Sequence, residues 1–291
     1  MSLAGTNFLW LNGRADYNRF MRCAPAITEI RSGRFAAVVA LLAASSLVAA
    51  EEIVTLKTRE AVTQTFLLSV PANDPAAVAV LFPGAYGNIR LRTEDGQIKF
   101  GAGNFLVRSR NLYVDGGLAT AVVDTPSDQP QGMEDYFRLG DKHAADVAAV
   151  VAELKKRYAN APVFLVGTSR GTVSAAAAGH ALADRVAGVV LTSTLFIAAR
   201  SGSGLSGFDF TAIKAPVLFV HNIDDGCRFT PYGSARSLGG RFPLITVHGG
   251  DAPRSDSCEA FSYHGYLGKE RETVEAVVDW MLRKPYPANI H

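Results

Sequence analysis

Residues 163–171 read VFLVGTSRG, four apolar residues followed by a Gly-Thr-Ser-Arg-Gly turn. The chain continues into TVSAAAAGHALADR, whose small residues favour a helix. In a G-x-S-x-G turn, glycines flank the serine at two places on either side because strand and helix approach too closely there for side chains. The pattern predicts a strand, a tight turn and a helix, with the Ser169 hydroxyl projecting at the top of a sheet. An ordinary glycine-rich loop is the alternative in a chain with 27 glycines.

Strand-like and helical segments alternate along the rest of the chain. The apolar runs lie at residues 77–82, 118–124, 163–167, 186–193, 216–221 and 243–248. Amphipathic helical stretches separate them, most clearly at 143–158, and a last one covers 274–281. Residues 53–60 and 62–70 alternate like a hairpin, which we place at an antiparallel edge. This order predicts an α/β fold, a mostly parallel central sheet with helices on both faces, and working residues at the carboxyl ends of strands.

The N-terminal region has the pattern of an export signal. Residues 35–50 are an uncharged run of 16 that follows Arg31 and Arg34. The run is short for a membrane span but suits a secretory signal cleaved after Ala50, with an N-terminal anchor as the alternative. Met21 would give the signal a conventional basic start. We expect residues 1–50 to be a leader, residues 51–284 a single domain, residues 285–291 a C-terminal tail, and the protein to be periplasmic or secreted.

Charge and cysteine content follow from that leader. Its removal takes away five of the 29 basic and two of the 27 acidic side chains, so 24 basic and 25 acidic ones remain, a net charge of −1. Nothing in this balance indicates a nucleic-acid partner, and no membrane contact beyond the leader is expected. Cleavage also removes Cys23 and leaves Cys227 and Cys258. An even pair in an exported protein favours a disulfide, with two free thiols as the alternative.

Polar side chains follow several of the predicted strands. Ser169 ends one strand, Asp224 and Asp225 follow residues 216–221, and His264 lies in a loop beyond 243–248. A serine hydroxyl is a poor nucleophile, so it needs a neutral imidazole to accept its proton and a carboxylate to fix the tautomer of that imidazole. The order Ser, Asp, His at successive strand ends is that of the α/β-hydrolase fold.

Four segments carry a family resemblance: GTSRG, HNIDDGCRFTP, CEAFSYHGYLGKE and the closing helix ETVEAVVDWML. They resemble an exported bacterial α/β-hydrolase of the dienelactone-hydrolase-like serine esterase type. The resemblance implies Ser169 as nucleophile and His264 as general base and acid. It favours Asp225 over Asp224 as the carboxylate, because similar proteins place the acid four residues after a strand-terminal histidine such as His221.

The resemblance also implies an oxyanion hole made of two backbone N–H groups. One belongs to Arg170, the residue after the nucleophile, and the other to the loop PGAYG at residues 83–87. We assign Ala85 as the donor in that loop, with Tyr86 as the next choice. The family more often has a histidine where Pro83 stands, which leaves the donor open between them. Tyr86 is also a candidate substrate contact, or else a half-buried aromatic residue.

The cysteines lie beside these candidates. Cys227 is two residues past Asp225 and Cys258 is six before His264, so a disulfide would tie the acid loop to the base loop. Closing a loop of about 31 residues stabilises a fold by roughly 3 to 4 kcal/mol in the chain-entropy model. The alternative is a staple that lies near the site by accident.

Other titratable residues are expected to be structural. His248 is a rival base at the end of its strand, better interpreted as a rim or structural histidine, and His143 and His180 fall on helices. The Arg170 side chain suits carboxylate binding or a structural ion pair. Arg90, Arg92, Arg108 and Arg110 are expected on a solvated surface, with attraction of an acidic substrate as the alternative. No metal-binding motif, P-loop or dinucleotide fingerprint occurs, so we expect no cofactor and no metal.

The interval between the strand at 186–193 and the acid strand limits the size of any cap. Residues 195–215 number 21, too few for a lid of several helices, so an open site and short or soluble esters are expected. We predict a serine hydrolase that cleaves a small-molecule carboxylic ester through an acyl-enzyme. A serine peptidase or acyltransferase with the same triad, and a non-catalytic binding protein of the same fold, are the alternatives.

Overall fold

A computed structural model describes residues 50–199 and 202–291 of the chain. Residues 1–49, which include nearly all of the predicted leader, lie outside the described residues. Among those that are described, no helix is both long and apolar enough to cross a membrane.

Eleven strands and seven α-helices are described. The strands are β1 (Ala50–Arg59), β2 (Val62–Val70), β3 (Ala77–Phe82), β4 (Arg92–Glu94), β5 (Gln97–Lys99), β6 (Leu118–Val123), β7 (Val163–Thr168), β8 (Gly188–Thr192), β9 (Val217–Asn222), β10 (Leu244–Val247) and β11 (Asn289–Ile290). The helices are α1 (Phe105–Arg108), α2 (Arg110–Asp115), α3 (Asp135–Arg138), α4 (Asp141–Arg157), α5 (Gly171–Leu182), α6 (Tyr232–Leu238) and α7 (Glu270–Met281). Short 3-10 turns cover Ala183–Arg185, Phe210–Ala212 and Tyr263–Gly265.

Nine of the strands form one sheet, in the order β1-β2-β6-β3-β7-β8-β9-β10-β11. The β1–β2 and β2–β6 pairs are antiparallel, and the other neighbours are parallel. The predicted antiparallel hairpin and the mostly parallel α/β sheet are therefore confirmed. Two features of the sheets were not predicted: the separate hairpin β4–β5, and β11, which adds residues 289–290 of the expected tail to the sheet edge.

The two faces of the sheet are covered by different helices. Alternate side chains of β3 explain this, because a strand points successive residues to opposite faces. Val78 and Val80 lie in one apolar cluster with the buried side chains of α4 and α5. Ala79 and Leu81 lie in a second cluster with those of α1, α2 and α7. All six residues of β3 are buried, as expected for a parallel strand that is covered on both sides.

The connection between β8 and β9 returns directly to the body of the protein. The Leu205 N–H donates to the Leu195 carbonyl at 2.8 Å, and Phe210 packs edge-on against Phe219 of β9. Within the described part of this connection, no separate cap domain is formed.

Candidate active site

Ser169 occupies a strained turn between β7 and α5. Its φ is 53°, a conformation that non-glycine residues rarely adopt and that the surrounding structure must hold in place. The Ser169 N–H donates to the Thr192 carbonyl of β8 at 3.0 Å, and its carbonyl accepts from the Thr172 N–H of α5 at 3.0 Å. The turn therefore projects the side chain at the carboxyl edge of the sheet.

The glycines of the turn are required by close packing rather than by backbone angle. A Cβ added to Gly167 would lie 2.4 Å from the Gly171 carbonyl oxygen. One added to Gly171 would lie 2.0 Å from the carbonyl oxygen of Phe82 in β3. Both contacts are with backbone that cannot move aside, so the physical reason given for the G-x-S-x-G spacing agrees with the structure.

The Asp225 carboxylate lies just beyond β9, and its side chain is fully buried. Its Oδ1 accepts from the Cys227 N–H at 2.9 Å. Its Oδ2 lies 3.0 Å from Nδ1 of His264 and accepts from the Thr230 hydroxyl at 2.8 Å. A carboxylate with these partners holds the imidazole in one tautomer, with the proton on Nδ1.

Asp224, the alternative acid, faces another way. Its Oδ2 accepts from the Gly249 N–H at 2.8 Å, and its own N–H donates to the Asn222 side chain at 2.9 Å. Asn222 in turn donates to the Gly249 carbonyl at 2.8 Å. These bonds tie the ends of β9 and β10 together, which leaves Asp225 as the aspartate that reaches His264.

His264 is buried, and its two ring nitrogens have different surroundings. Nδ1 contacts Asp225, whereas Nε2 is buried without a hydrogen-bond partner among the described residues. His264 and the half-buried Ser169 line the same cleft. With Nδ1 protonated, Nε2 carries the lone pair that can accept a proton from a hydroxyl group in that cleft.

Thr230 is a buried residue that the sequence analysis did not identify. Its hydroxyl donates to Asp225 Oδ2 and lies 3.2 Å from Nδ1 of His264, so it touches both members of the pair. Two further hydrogen bonds hold the segment around the histidine. The Ser193 hydroxyl donates to the His264 carbonyl at 2.8 Å, and the Tyr266 hydroxyl donates to the Val220 carbonyl of β9 at 2.6 Å. No periodicity or motif in the sequence marks these contacts.

The loop after β3 approaches the serine turn closely. A Cβ added to Gly84 would lie 3.1 Å from the Ser169 Cβ and 3.1 Å from the Thr168 carbonyl oxygen. The next residue, Ala85, has a φ of 50°, and the Gly87 N–H closes the turn on the Gly84 carbonyl at 3.0 Å. Ala85 thus lies beside the turn that carries Ser169, where the family resemblance implies one N–H donor of an oxyanion hole.

The cleft that holds Ser169 and His264 has a volume of about 840 Å³. Its walls come from residues 83–90, 101–105, 130–131 and 255–261. Two large aromatic side chains stand exposed in it, Tyr86 at 49% and Phe261 at 39%. Tyr86 was singled out from the sequence, whereas the wall that carries Phe261 was not.

The disulfide between Cys227 and Cys258 is present, with a Cα–Cα separation of 4.6 Å. It joins the loop of Asp225 to the 255–261 wall of the cleft, and Cys258 itself lines that cleft. The loop of Asp225 and the segment that precedes His264 are therefore covalently connected, as predicted from the cysteine positions.

The remaining histidines have other surroundings. His143 packs against Phe82 and Phe137, and burial lowers its pKa to about 3. His221 accepts from the Thr194 N–H at 3.0 Å and burial likewise lowers its pKa to about 3, so both rings stay neutral at ordinary pH. His248 stacks on His291 at 4.4 Å, beside β11, and exposed His180 contacts the Ala212 carbonyl.

Two of the four arginines that were expected on a solvated surface are instead mostly buried in ion pairs, whereas the ion pair that Arg92 forms is exposed. Arg108 contacts Glu270 at 2.9 Å and donates to the Gly265 carbonyl at 2.6 Å, next to His264. Arg110 contacts Glu51 at 2.8 Å. No group of three or more metal-ligating side chains occurs in the part of the chain that the structure describes.

Comparisons with known proteins agree with this architecture. A family model described as serine aminopeptidase, S33 (Hydrolase_4), matches residues 128–225, which include Ser169 and Asp225. The search of curated proteins gave no match.

Solved structures similar to this chain include several hydrolases. Est1E from Butyrivibrio proteoclasticus has 15% identity and a TM-score of 0.56, covering 79% of this chain and 98% of its own. A cold-adapted esterase from an Arctic intertidal metagenomic library has 17% identity and a TM-score of 0.54, covering 82% and 96%. XC6422 from Xanthomonas campestris, an α/β serine hydrolase without lid, has 14% identity and a TM-score of 0.51, covering 80% and 94%. The chain thus has the α/β-hydrolase fold.

Proposed function

We propose that this protein is a serine hydrolase that cleaves carboxylic esters, with Ser169 as nucleophile, His264 as base and acid, and Asp225 as the carboxylate. One observation carries the proposal. His264 lines the same cleft as Ser169, and its Nδ1 contacts the buried carboxylate of Asp225. Its Nε2 has no hydrogen-bond partner among the described residues. A buried nitrogen without a partner is costly to the fold, so its retention in a cleft supports a chemical role.

The reaction proceeds in two halves. Ser169 Oγ attacks the ester carbonyl carbon while Nε2 of His264 takes the hydroxyl proton. The Ala85 and Arg170 N–H groups meet the oxyanion that forms. Collapse breaks the bond to the alcohol, which leaves with the proton from Nε2. Water then attacks the acyl-enzyme, its proton passing through Nε2 to Ser169 Oγ as the carboxylic acid departs.

The cleft supports short or soluble acyl and aryl esters as substrates. It is open because no separate cap covers it within the described residues, and the exposed rings of Tyr86 and Phe261 offer flat apolar walls. Its volume of about 840 Å³ lies in the range usual for small-molecule sites. The Cys227–Cys258 bond and the apolar run at residues 35–50 support export to the periplasm or the medium.

A fluorophosphonate probe tests the nucleophile. We expect the protein to be labelled and to hydrolyse p-nitrophenyl acetate, and Ser169→Ala to lose both properties while keeping its thermal transition. Ser237→Ala is the matched control, since this hydroxyl only contacts the Ser234 carbonyl in α6, and it should be labelled normally. Labelling that survives Ser169→Ala would reject the assignment.

A chain-length series of p-nitrophenyl esters tests the substrate class. We expect kcat/KM to be highest for acetate to butanoate and to fall towards hexadecanoate. Faster hydrolysis of hexadecanoate than of acetate would contradict an open site for short acyl groups.

A serine peptidase is the second candidate, and the match to a family described as serine aminopeptidase favours it. The same triad cleaves amides, so labelling does not separate the two activities. An aminoacyl p-nitroanilide compared with p-nitrophenyl acetate does. A higher kcat/KM for the anilide would assign the peptidase and leave the triad unchanged.

A further inference from the structure

The two proposed oxyanion donors are both held by the short helix α3. This helix spans Asp135–Arg138, and nothing in the sequence analysis singled it out. Arg138 contacts the loop of Ala85, and Asp135 contacts the side chain of Arg170. Ala85 and Arg170 are 85 positions apart in sequence, so one element connects two distant parts of the chain.

Arg138 is 1% exposed, and its hydrogen-bond acceptors are all uncharged. It donates to the Ala85 carbonyl at 3.2 Å, to the Ser174 hydroxyl at 2.7 Å and to the Met133 carbonyl at 3.3 Å. Burial lowers the pKa of this guanidinium to about 9. The charge of Asp135 in the same helix partly offsets this burial, but every hydrogen bond of the guanidinium goes to a neutral oxygen, which is an unfavourable arrangement for a buried cation.

The contact with Ala85 constrains the oxyanion loop directly. Ala85 has a φ of 50°, which is unfavourable for a residue with a Cβ. A bond to its carbonyl fixes the plane of the peptide between Ala85 and Tyr86, because the peptide unit is rigid. The proposed donor, the Ala85 N–H, belongs to the preceding peptide and is held through the dihedral angles of Ala85 that join the two planes. The loop also packs on the guanidinium, since a Cβ added to Gly87 would lie 2.8 Å from Nη2 of Arg138.

Asp135 acts on the other donor. Its side chain is fully buried, and Oδ1 lies 3.4 Å from Nε of Arg170. Its Oδ2 accepts from the Gly204 N–H at 2.8 Å, which fixes the carboxylate. The Arg170 guanidinium also lies 5.1 Å from the centre of the Tyr86 ring, so the side chain spans from α3 to the oxyanion loop.

We propose that Arg138 is a positioning residue for the oxyanion hole, holding Ala85 in its strained conformation through the bond to its carbonyl, with Asp135 and Arg170 as the second arm of the same support. This inference rests on the proposed serine hydrolase function. The guanidinium also places a positive charge beneath the loop that faces the developing oxyanion, in surroundings where charge acts strongly.

Substitution of Arg138 tests the proposal. Lysine keeps the charge but cannot reproduce the three hydrogen bonds of the planar guanidinium. Methionine removes the charge and the hydrogen bonds. We expect Arg138→Lys to lower kcat for p-nitrophenyl acetate about ten- to a hundredfold, with KM within about threefold of wild type. Arg110→Met is the matched control. It removes a largely buried arginine that pairs with Glu51, and it should lower the thermal transition without changing kcat.

A thionoester separates a defect in the oxyanion hole from a general structural defect. Hydrolysis of p-nitrophenyl thionoacetate develops its charge on sulfur, a larger and poorer hydrogen-bond acceptor than oxygen. We expect Arg138→Lys to slow the oxygen ester much more than the thionoester, so that the ratio of their kcat values falls. Equal slowing of both substrates, or an unchanged kcat, would overturn the proposal.

Ser174→Ala covers the case in which both Arg138 variants fail to fold. It removes one buried anchor of the guanidinium and leaves the charge, so we expect a three- to tenfold fall in kcat on the oxygen ester and a smaller one on the thionoester. An unchanged ratio of the kcat values for the oxygen ester and the thionoester would count against a positioning role for Arg138. A wild-type protein that neither reacts with the fluorophosphonate nor hydrolyses either ester would instead reject the proposed function, and the inference with it.

Discussion

The turn that carries Ser169 and the loops that carry Asp225 and His264 are built in different ways. The turn lies within nine consecutive residues, 163–171, between a strand and a helix. Asp225 and His264 are 39 residues apart, and their loops meet through a hydrogen bond, a shared threonine and a disulfide. Close packing of backbone determines the first region, whereas polar and covalent contacts determine the second.

This difference predicts two kinds of failure. Where backbone meets backbone within a buried sheet, added volume has no place to go, so a substitution acts on the whole fold. Where side chains join two loops, the loss of one partner leaves the fold standing and disturbs the site. Single substitutions of comparable size should therefore affect folding in the turn and activity in the loops, whereas loss of the disulfide, which constrains the unfolded chain, should act mainly on stability.

The largest effect is expected from Gly171→Ala. Its Cβ would lie 2.0 Å from the Phe82 carbonyl oxygen, which belongs to a buried strand. We expect no soluble folded protein, or a loss of about 3 to 5 kcal/mol in the free energy of unfolding, measured by urea denaturation. Gly233→Ala in α6 meets nothing within 4 Å and should change stability by no more than about 1 kcal/mol. A Gly171→Ala protein as stable as Gly233→Ala would show that steric contact does not limit the turn.

A large effect on activity with little effect on folding is expected from Asp225→Asn. The amide can no longer hold the proton on Nδ1 of His264, so kcat should fall by about 10³- to 10⁴-fold. Asp224→Asn is its neighbour and control. It weakens the bond to the Gly249 N–H, which costs about 1 kcal/mol in unfolding free energy, and should leave kcat within about threefold. Equal kcat values for the two variants would remove the distinction between the aspartates.

The smallest effect is expected from removal of the disulfide. The double variant Cys227→Ser, Cys258→Ser opens a loop that spans 31 positions, which should lower the free energy of unfolding by about 3 kcal/mol. We expect kcat to fall only severalfold, because Thr230 still holds Asp225 and His264 together. Heat and urea denaturation, with esterase assays at 25 °C, measure both. Unchanged stability and activity would mean that the bond does not tether the loops.

Several features of the site were predictable because they depend on neighbours in sequence. The strands and the serine turn follow from apolar runs and from glycine spacing, and the order of the candidate residues follows from strand ends.

The hairpin β4–β5 was missed although Asp95-Gly96, both at positive φ, is the usual signal for a two-residue turn. The choice between Asp224 and Asp225 came from the family resemblance, and the structure gives its reason in the Gly249 contact.

Other features depend on contacts that no local pattern encodes. Thr230 reaches His264 from 34 positions away, and Arg138 reaches Ala85 from 53 positions away. β11 is two residues long and forms only because β10 offers a free edge. Periodicity records which face of an element is apolar, but it does not record which polar group a folded loop brings within hydrogen-bonding distance.

The sequence by itself determined the α/β architecture and the serine at the strand-to-helix turn, because hydrophobic period and glycine placement act over a few residues. It also indicated the cysteine pair, since only two cysteines follow residue 50. Only the tertiary structure decided which aspartate meets His264, which aromatic side chains line the cleft and which buried arginine lies beneath Ala85. Those choices depend on side-chain directions after the sheet is assembled, and a difference of one residue along a loop reverses the direction in which a carboxylate points.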